Sequence, residues 1–256
     1  MPVLHINELS VPVSGILFDK DGTLLDLLAT WGSWAELVLE GLGSQLTLMG
    51  SRPVTGADLA PVLGTTHDAS GRITGYDPAG PLSMATAEES TGILAWQLYT
   101  AGLPWNEAVT RVNAISKEAM NELRRRRTAV PMPGVLPFLE QCAAVSLKLG
   151  VVTSDNLSTT REHLEWLGIS GYFGAVITRD RVKYGKPAPE MAEKACRELE
   201  LRPEDTVIIG DSNADMQLGR GAGLRLAVGI SPDRRTDHLL DADIVVSGYH
   251  ALRLTI

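Results

Sequence analysis

The feature that most constrains the fold is the stretch of residues 16–25, which reads ILFDKDGTLL. Its first three residues are apolar, and the run stops at Asp19, with Asp21 and Gly22 close behind. A continuous apolar run that ends in a turn signal is typical of a strand buried on both faces of a sheet. In open α/β sheets, ligands bind at the carboxyl ends of such strands. The stretch therefore predicts a buried strand that carries two carboxylates to a ligand-binding edge.

Two later apolar runs also end in polar residues: residues 151–152 before Thr153 and Ser154, and residues 207–210 before Asp211 and Asp215. If the three strands are parallel, their ends converge on one edge of the sheet. The convergence predicts a carboxylate cluster made of Asp19, Asp21, Asp211 and Asp215. So many like charges would be costly without a cation, and oxygen ligands without histidine favour Mg²⁺ over zinc.

A lysine is expected beside this cluster. Lys186 lies in the segment GKPAPE, where we expect Pro187 to open a helix and to fix the lysine just before it. A fixed ammonium near a metal ion gives two positive centres, which is what a phosphoryl group needs for charge compensation. Asp155, which follows Ser154, is interpreted as a helix cap rather than a ligand.

The segment between the first strand and the later ones reads as helical. Helices are predicted over residues 26–42, 57–63, 86–99 and 104–127, with a loop or small hairpin at 66–83. Thr86 and Glu89 form a capping-box pattern at the start of the third helix. The tryptophans are expected in the core of this segment: Trp31, Trp34, Trp96 and Trp105. The segment therefore reads as an inserted domain.

Behind the insertion, strands and helices alternate. Helices are predicted over residues 135–149, 158–167, 187–199 and 214–221, and strands over 150–153, 175–178, 206–210, 224–228 and 244–246. Such alternation predicts an α/β fold, with a doubly wound, mostly parallel sheet and helices on both faces. The predicted domains are a Rossmann-like core, residues 1–25 plus 130–256, and an all-helical insertion, residues 26–129.

The composition of the chain restricts the kinds of molecule that it is expected to bind. The formal net charge of −8 disfavours a nucleic-acid partner, because phosphate contacts need a basic surface. An anionic small substrate stays open, because a bound divalent cation reverses the charge locally. The two cysteines, Cys142 and Cys196, fit a reducing compartment. We see no signal peptide and no run of the roughly 18 apolar residues that span a bilayer, so we expect a cytoplasmic protein without a membrane partner.

Together these motifs resemble the haloacid dehalogenase superfamily, and specifically its phosphatases with an inserted helical cap, most of all the phosphoglycolate phosphatases. The resemblance covers residues 1–25 and 130–256. It is carried by four motifs in order: DKDGT from Asp19, the apolar run that ends in Thr153, Lys186 in KPAP, and GDSNAD from Gly210.

The resemblance implies a role for each motif residue. Asp19 would be the nucleophile and would form an aspartyl-phosphate. Asp21 would protonate the leaving oxygen and then activate the hydrolytic water. Thr153, with the backbone N–H of Ser154, would bind a phosphoryl oxygen, and Lys186 would hold the nucleophile and the phosphate together.

The resemblance also implies a magnesium site. Mg²⁺ would be bound by Asp19, by the backbone carbonyl of Asp21 and by Asp211. Asp215 would lie one helical turn further on and would act through water or as an occasional direct ligand.

The activity that follows is a Mg²⁺-dependent phosphomonoesterase acting on a small phosphorylated metabolite, with phosphoglycolate as the named substrate. The general acid Asp21 suits departure of an alkoxide from phosphorus and speaks against the dehalogenase and phosphonatase branches. Two alternatives stay open: a β-phosphoglucomutase-like phosphomutase, and a non-catalytic binding protein on the same fold. The cap would close over the site, and the protein would be a monomer or homodimer.

Overall fold

The structure is a computed structural model that describes residues 1–50 and 54–256. The chain forms two compact units: a core unit, Met1–Asp26 with Ala129–Ile256, and a helical unit, Leu27–Thr128. The elements in chain order are β1 (Val3–Ile6), β2 (Leu9–Pro12), β3 (Gly15–Phe18), α1 (Leu27–Leu48), α2 (Ala60–Leu63), β4 (Thr65–His67), β5 (Ile73–Tyr76), α3 (Pro81–Met84), α4 (Ala87–Thr100), α5 (Trp105–Arg126), α6 (Val135–Ala144), β6 (Lys148–Thr153), α7 (Leu157–Trp166), β7 (Ala175–Thr178), α8 (Glu190–Leu199), β8 (Thr206–Gly210), α9 (Asn213–Gly221), β9 (Leu226–Ile230), β10 (Ile244–Val246) and β11 (Leu252–Thr255).

The core unit is built on a six-stranded parallel sheet with the order β10-β9-β8-β3-β6-β7. Strand β3 lies near its centre and is buried on both faces. Ile16 and Phe18 pack into the apolar cluster on one face with α6 and α7, and Leu17 packs into the cluster on the other face with α8 and α9. The predicted α/β class with a doubly wound parallel sheet is confirmed.

A second sheet in the core unit has no counterpart in the sequence analysis. Strands β11, β1 and β2 form an antiparallel sheet in which Val3 is opposite Thr255 and also opposite Pro12. In β1 the buried residues Leu4 and Ile6 alternate with partly exposed ones. Four residues of alternation are too short to identify a strand from sequence, so this sheet escaped prediction.

Two predicted helix bounds in the core unit are wrong. The helix predicted over residues 135–149 ends at Ala144, and β6 begins at Lys148. Ser146 lies between them with a φ of 51°, a left-handed conformation that ends the helix although apolar residues continue. The helix predicted from Pro187 begins at Glu190 instead. The Glu190 carboxylate accepts hydrogen bonds from the backbone N–H groups of Lys183 and Tyr184, which anchors the preceding loop to the helix.

The helical unit contains α1 to α5 and the small hairpin of β4 and β5. Helix α4 begins with the predicted capping box, in which Thr86 and Glu89 bond to each other's backbone. The prediction that all four tryptophans are core residues is wrong for Trp96 and Trp105, which are 54% and 46% exposed. The buried stripe of α4 runs through Leu94, Ala95 and Leu98, which turns Trp96 outwards. Among the described residues, none of the helices is both long and apolar enough for a membrane span.

Candidate active site

The three strand ends meet at one edge of the parallel sheet. Strand β3 pairs with β6 on one side and with β8 on the other, so Phe18 lies opposite both Val151 and Ile209. The backbone N–H of Asp19 donates to the carbonyl of Ile209 at 2.9 Å, which continues the ladder one residue further. Asp19, Thr153 and Asp211 therefore stand on adjacent strands at the carboxyl edge, as the sequence predicted.

Lys186 joins the first and last of these motifs. Its Nζ contacts Oδ1 of Asp19 and lies 2.5 Å from Oδ1 of Asp215. The other carboxylate oxygen of Asp215 accepts hydrogen bonds from the backbone N–H of Ser212 at 3.2 Å and from its hydroxyl at 2.6 Å. The bond from the backbone N–H belongs to the capping box of α9, and both bonds fix Asp215 at the start of the helix. The buried Lys186 side chain thus sits between two carboxylates.

The acidic side chains fit a divalent cation. Asp19, Asp211 and Asp215 each offer a carboxylate oxygen, and the three oxygens lie within 4.8 Å of one another. Lys186 supplies one positive charge against these three carboxylates. An all-oxygen donor set with excess negative charge suits Mg²⁺. Both carboxylate oxygens of Asp215 already have partners, in Lys186 and Ser212. Lys186, by contrast, contacts one oxygen of Asp19, so Asp19 and Asp211 are the side chains that could hold such an ion.

Electrostatics in the cluster favour an added positive charge. Burial raises the pKa of Asp19 to about 7, against the lowering effect of Lys186, and the Asp215 carboxylate adds to the rise. Burial also raises the pKa of Asp211 well above its ordinary value, with further contributions from Asp19 and Asp215. Although burial alone would lower the pKa of Lys186, Asp19 and Asp215 raise it above its ordinary range. The ammonium is therefore permanently charged, while the carboxylates repel one another.

The turn after Asp19 is fixed by contacts from distant parts of the chain. Gly22 has a φ of 77°, and its N–H donates to the carbonyl of Leu25 at 2.8 Å. The Thr23 hydroxyl lies 3.5 Å from Oδ1 of Asp211. The buried Tyr249 hydroxyl donates to the carbonyl of Thr23 at 3.0 Å. The C-terminal part of the chain therefore helps to hold the DKDGT turn against Asp211.

The predicted phosphate-binding residues lie at the end of β6. Thr153 is buried, and its hydroxyl oxygen accepts a hydrogen bond from the backbone N–H of Asp155 at 3.2 Å. Ser154 follows and is partly exposed. Both residues are at the same sheet edge as Asp19, and their part in phosphate binding is a proposal that the geometry permits.

Sequence reasoning missed a second ion-pair cluster at this edge. Lys20 is fully buried, and its Nζ lies 2.6 Å from Oδ2 of Asp21, 3.2 Å from Oδ2 of Asp155 and 3.1 Å from Nδ1 of His163. The interpretation of Asp155 as a helix cap is wrong, because Asn156 caps α7 by accepting from the backbone N–H of Thr159. The available signal was a lysine between two aspartates at the end of a buried strand.

Comparison with known proteins identifies the family. The sequence profile of haloacid dehalogenase-like hydrolases matches residues 13–223. The chain is 35% identical over 95 residues to pyrophosphatase PpaX of Oceanobacillus iheyensis, covering 37% of this chain and 44% of that protein. It is 31% identical over 100 residues to phosphoglycolate phosphatase of Aquifex aeolicus, covering 39% and 47%. The matched segments thus span less than half the length of either relative.

The fold agrees with this assignment. The crystal structure of β-phosphoglucomutase from Clostridium difficile superposes with a TM-score of 0.62 at 17% identity, covering 92% of this chain and 91% of that one. At that identity the likeness concerns the fold. The chain belongs to the haloacid dehalogenase-like hydrolase family, and the predicted resemblance is confirmed.

Proposed function

We propose that this protein is a Mg²⁺-dependent phosphomonoesterase that works through an aspartyl-phosphate. The observation that carries the proposal is the meeting of Asp19, Lys186 and Asp211 at one sheet edge, although they are far apart in the sequence. Here a buried ammonium lies beside a buried carboxylate, and both are next to a carboxylate cluster that suits a cation. This arrangement stabilises a phosphoryl group during its transfer. Membership of the family supports the same activity.

In the first step Asp19 attacks phosphorus, the bond from phosphorus to the ester oxygen breaks, and the proton of Asp21 goes to that oxygen. In the second step water attacks the aspartyl-phosphate and the bond between phosphorus and Asp19 breaks. Asp21 takes a proton from this water, so both carboxyl groups return to their starting states and phosphate leaves. One side chain thus serves as acid and then as base.

The other residues of the site bind the cation and the phosphoryl oxygens and neutralise their charge. Asp19, Asp211 and the backbone carbonyl of Asp21 would hold Mg²⁺, with Asp215 acting through water. Magnesium held by these residues would supply positive charge that neutralises the phosphoryl oxygens. Lys186 holds a phosphoryl oxygen beside Asp19, and the Thr153 hydroxyl and the Ser154 N–H bind another.

The substrate is proposed to be a small organic phosphate. Phosphoglycolate is the first choice, supported by the similarity to the Aquifex aeolicus enzyme. Pyrophosphate, which is inorganic, is a second compound to test, because the chain is similar to pyrophosphatase PpaX. A phosphomutase is the alternative activity, since it also needs the acid–base residue that Asp21 provides. A cytoplasmic location, the cap role of the helical unit and a monomeric or homodimeric state stay predictions.

The test is phosphate release from an aryl phosphate with and without Mg²⁺, by wild type and by Asp19→Asn. This substitution keeps the side-chain shape and removes the nucleophile, so we expect a loss on the order of a thousandfold or more. Asp237→Asn, at an exposed aspartate that belongs to neither ion-pair cluster, is the matched control. Equal rates for wild type and Asp19→Asn would refute the proposal.

A panel of phosphoglycolate, pyrophosphate and β-glucose 1-phosphate then distinguishes the activities. A phosphatase releases inorganic phosphate, whereas a mutase returns an isomerised sugar phosphate. A protein that binds these compounds without converting any of them would be the non-catalytic alternative.

A further inference from the structure

Lys20 repeats, at the second catalytic aspartate, the arrangement that Lys186 has at the first. Each ammonium is buried and contacts two carboxylates: Lys186 touches Asp19 and Asp215, and Lys20 touches Asp21 and Asp155. In each pair, one carboxylate is a proposed catalytic group and the other comes from a different segment. The site therefore contains two ammonium groups, and each forms an ion pair with one of the two proposed catalytic aspartates.

Lys20 is fixed from both its main chain and its side chain. Its carbonyl accepts hydrogen bonds from the N–H groups of Leu24 and Leu25 at 2.8 and 2.9 Å, which sets the backbone in the turn. Its Nζ lies 3.1 Å from Nδ1 of His163, a fully buried residue of α7. A side chain without solvent exposure and with these contacts has little freedom to move.

Asp155 is an equally fixed partner. Its Oδ1 accepts a hydrogen bond from the backbone N–H of Asn156 at 2.7 Å, and its own N–H donates to Thr153. Its Oδ2 faces Lys20 at 3.2 Å. The ammonium is thus anchored to the start of α7, while its third contact, at 2.6 Å, is with Asp21. Asp21 is the more exposed carboxylate of the pair, at 19% against 13%.

We propose that Lys20 is a positioning residue for Asp21: anchored by Asp155 and His163, it holds the acid–base carboxyl in place beside the nucleophile. This inference rests on the proposed function. Correct placement matters when a proton must reach the leaving oxygen in the transition state, and general acid catalysis of this kind contributes roughly a hundredfold to ten-thousandfold. Lys20 acts through Asp21 and makes no contact with substrate in this role.

The role predicts a dependence on the leaving group. An alkoxide is a poor leaving group and needs the proton of a well-placed acid, whereas a dinitrophenolate leaves without it. Loss of Lys20 should therefore slow cleavage of an alkyl phosphate far more than cleavage of dinitrophenyl phosphate. A residue needed only for folding would lower both rates by the same factor. The ratio kcat/KM reports the steps up to phosphoryl transfer and is the quantity to compare.

The experiment compares Lys20→Met and the double variant K20M/D155N with wild type. The double variant removes a positive and a negative charge together, so the buried cluster keeps its net charge and no carboxylate loses its partner apart from Asp21. We expect kcat/KM for phosphoglycolate to fall roughly tenfold to a hundredfold, and for dinitrophenyl phosphate by about threefold at most. Lys183→Met, at an exposed lysine of the same unit, is the matched control and should leave both values unchanged.

Each result decides between the possibilities. A selective loss on the alkyl phosphate in either folded variant supports the positioning role. Equal losses on both substrates, or no loss, would overturn it. If neither variant attains the circular dichroism spectrum of wild type, Lys20 is a structural core residue and the positioning role is rejected. If wild type itself hydrolyses neither substrate, the proposed function fails. That outcome is distinct from an active wild type whose Lys20 variants lose the same activity on both substrates.

Discussion

The carboxylate of Asp211 occupies the space that a side chain on Gly22 would fill. Gly22 also has a φ of 77°, a conformation that residues with a Cβ rarely adopt. Two requirements, one on the backbone and one on the space beside it, therefore select glycine at this position. The close approach is what allows the turn after β3 to lie directly against the acidic end of β8.

Gly22→Ala is expected to weaken Mg²⁺ binding by about tenfold to a hundredfold, because the new methyl group displaces the Asp211 carboxylate. The positive φ adds a loss of stability of about 1–2 kcal/mol. Isothermal titration calorimetry measures the first effect and thermal unfolding the second. Gly168→Ala is the matched control, since Gly168 has a φ of 69° with no atom within 4 Å of the new Cβ. It should lose stability and keep its Mg²⁺ affinity, and a similar affinity loss in both variants would contradict the explanation.

Mg²⁺ should stabilise the wild-type protein and not the Asp211→Asn variant. At a hundredfold excess over Kd, a ligand adds about 2.7 kcal/mol to the free energy of unfolding. Without Mg²⁺ the Asp211→Asn variant should be more stable than wild type, because the substitution removes a negative charge that Asp19 and Asp215 repel. Thermal unfolding with EDTA and with Mg²⁺ measures both effects, with Asp237→Asn as control. A Mg²⁺ shift of wild-type size in Asp211→Asn would exclude Asp211 as a ligand.

Mg²⁺ affinity should fall as the pH falls through the neutral range. Burial raises the pKa of Asp19 to about 7, so its carboxyl group is ionised above that pH and mostly protonated below it. A protonated carboxyl must lose its proton to bind the ion, and the pKa of the other ligand, Asp211, is also raised, so affinity should drop at least about tenfold per pH unit below about pH 7. The ordinary carboxyl pKa would instead leave affinity constant down to about pH 5. Calorimetric titrations at about pH 6, 7 and 8 distinguish the two outcomes.

Tyr249→Phe should destabilise the core unit by about 1 kcal/mol. The substitution removes the hydroxyl that donates a hydrogen bond to the buried carbonyl of Thr23. The ring still packs against Phe138, so the effect isolates the hydrogen bond. Denaturant unfolding measures the change. Tyr99→Phe removes a hydroxyl from a half-exposed ring and should have almost no effect. A loss that is equally small in both variants would mean that the Tyr249 bond does not stabilise the turn.

Much of the fold and of the sheet edge could be predicted, because an apolar run that ends in polar residues indicates both a buried strand and the position of its end. Asp19, Thr153 and Asp211 were placed by this signal alone, since parallel strands bring their carboxyl ends together. Lys186 was placed by its motif, although the expected helix start at Pro187 was wrong.

The features that could not be predicted depend on long-range contacts. The antiparallel pairing of β1 with β11 joins the two ends of the chain, and neither strand has enough alternation to be recognised alone. The Lys20 cluster needs His163 of α7 to approach the strand end, and no local pattern encodes that distance. The end of α6 depends on the left-handed conformation of Ser146, a residue with no marked preference for it.

The core unit is assembled from two segments separated by the whole of the helical unit, and this has a consequence during synthesis. Strand β3 leaves the ribosome well before its neighbours β6 and β8 exist, whereas all of Leu27–Thr128 is made in one stretch. Until translation reaches β6, the apolar residues of β3 have no sheet to join. The nascent chain therefore carries an apolar, strand-forming segment that stays unpaired until β6 has been made, and such a segment can aggregate.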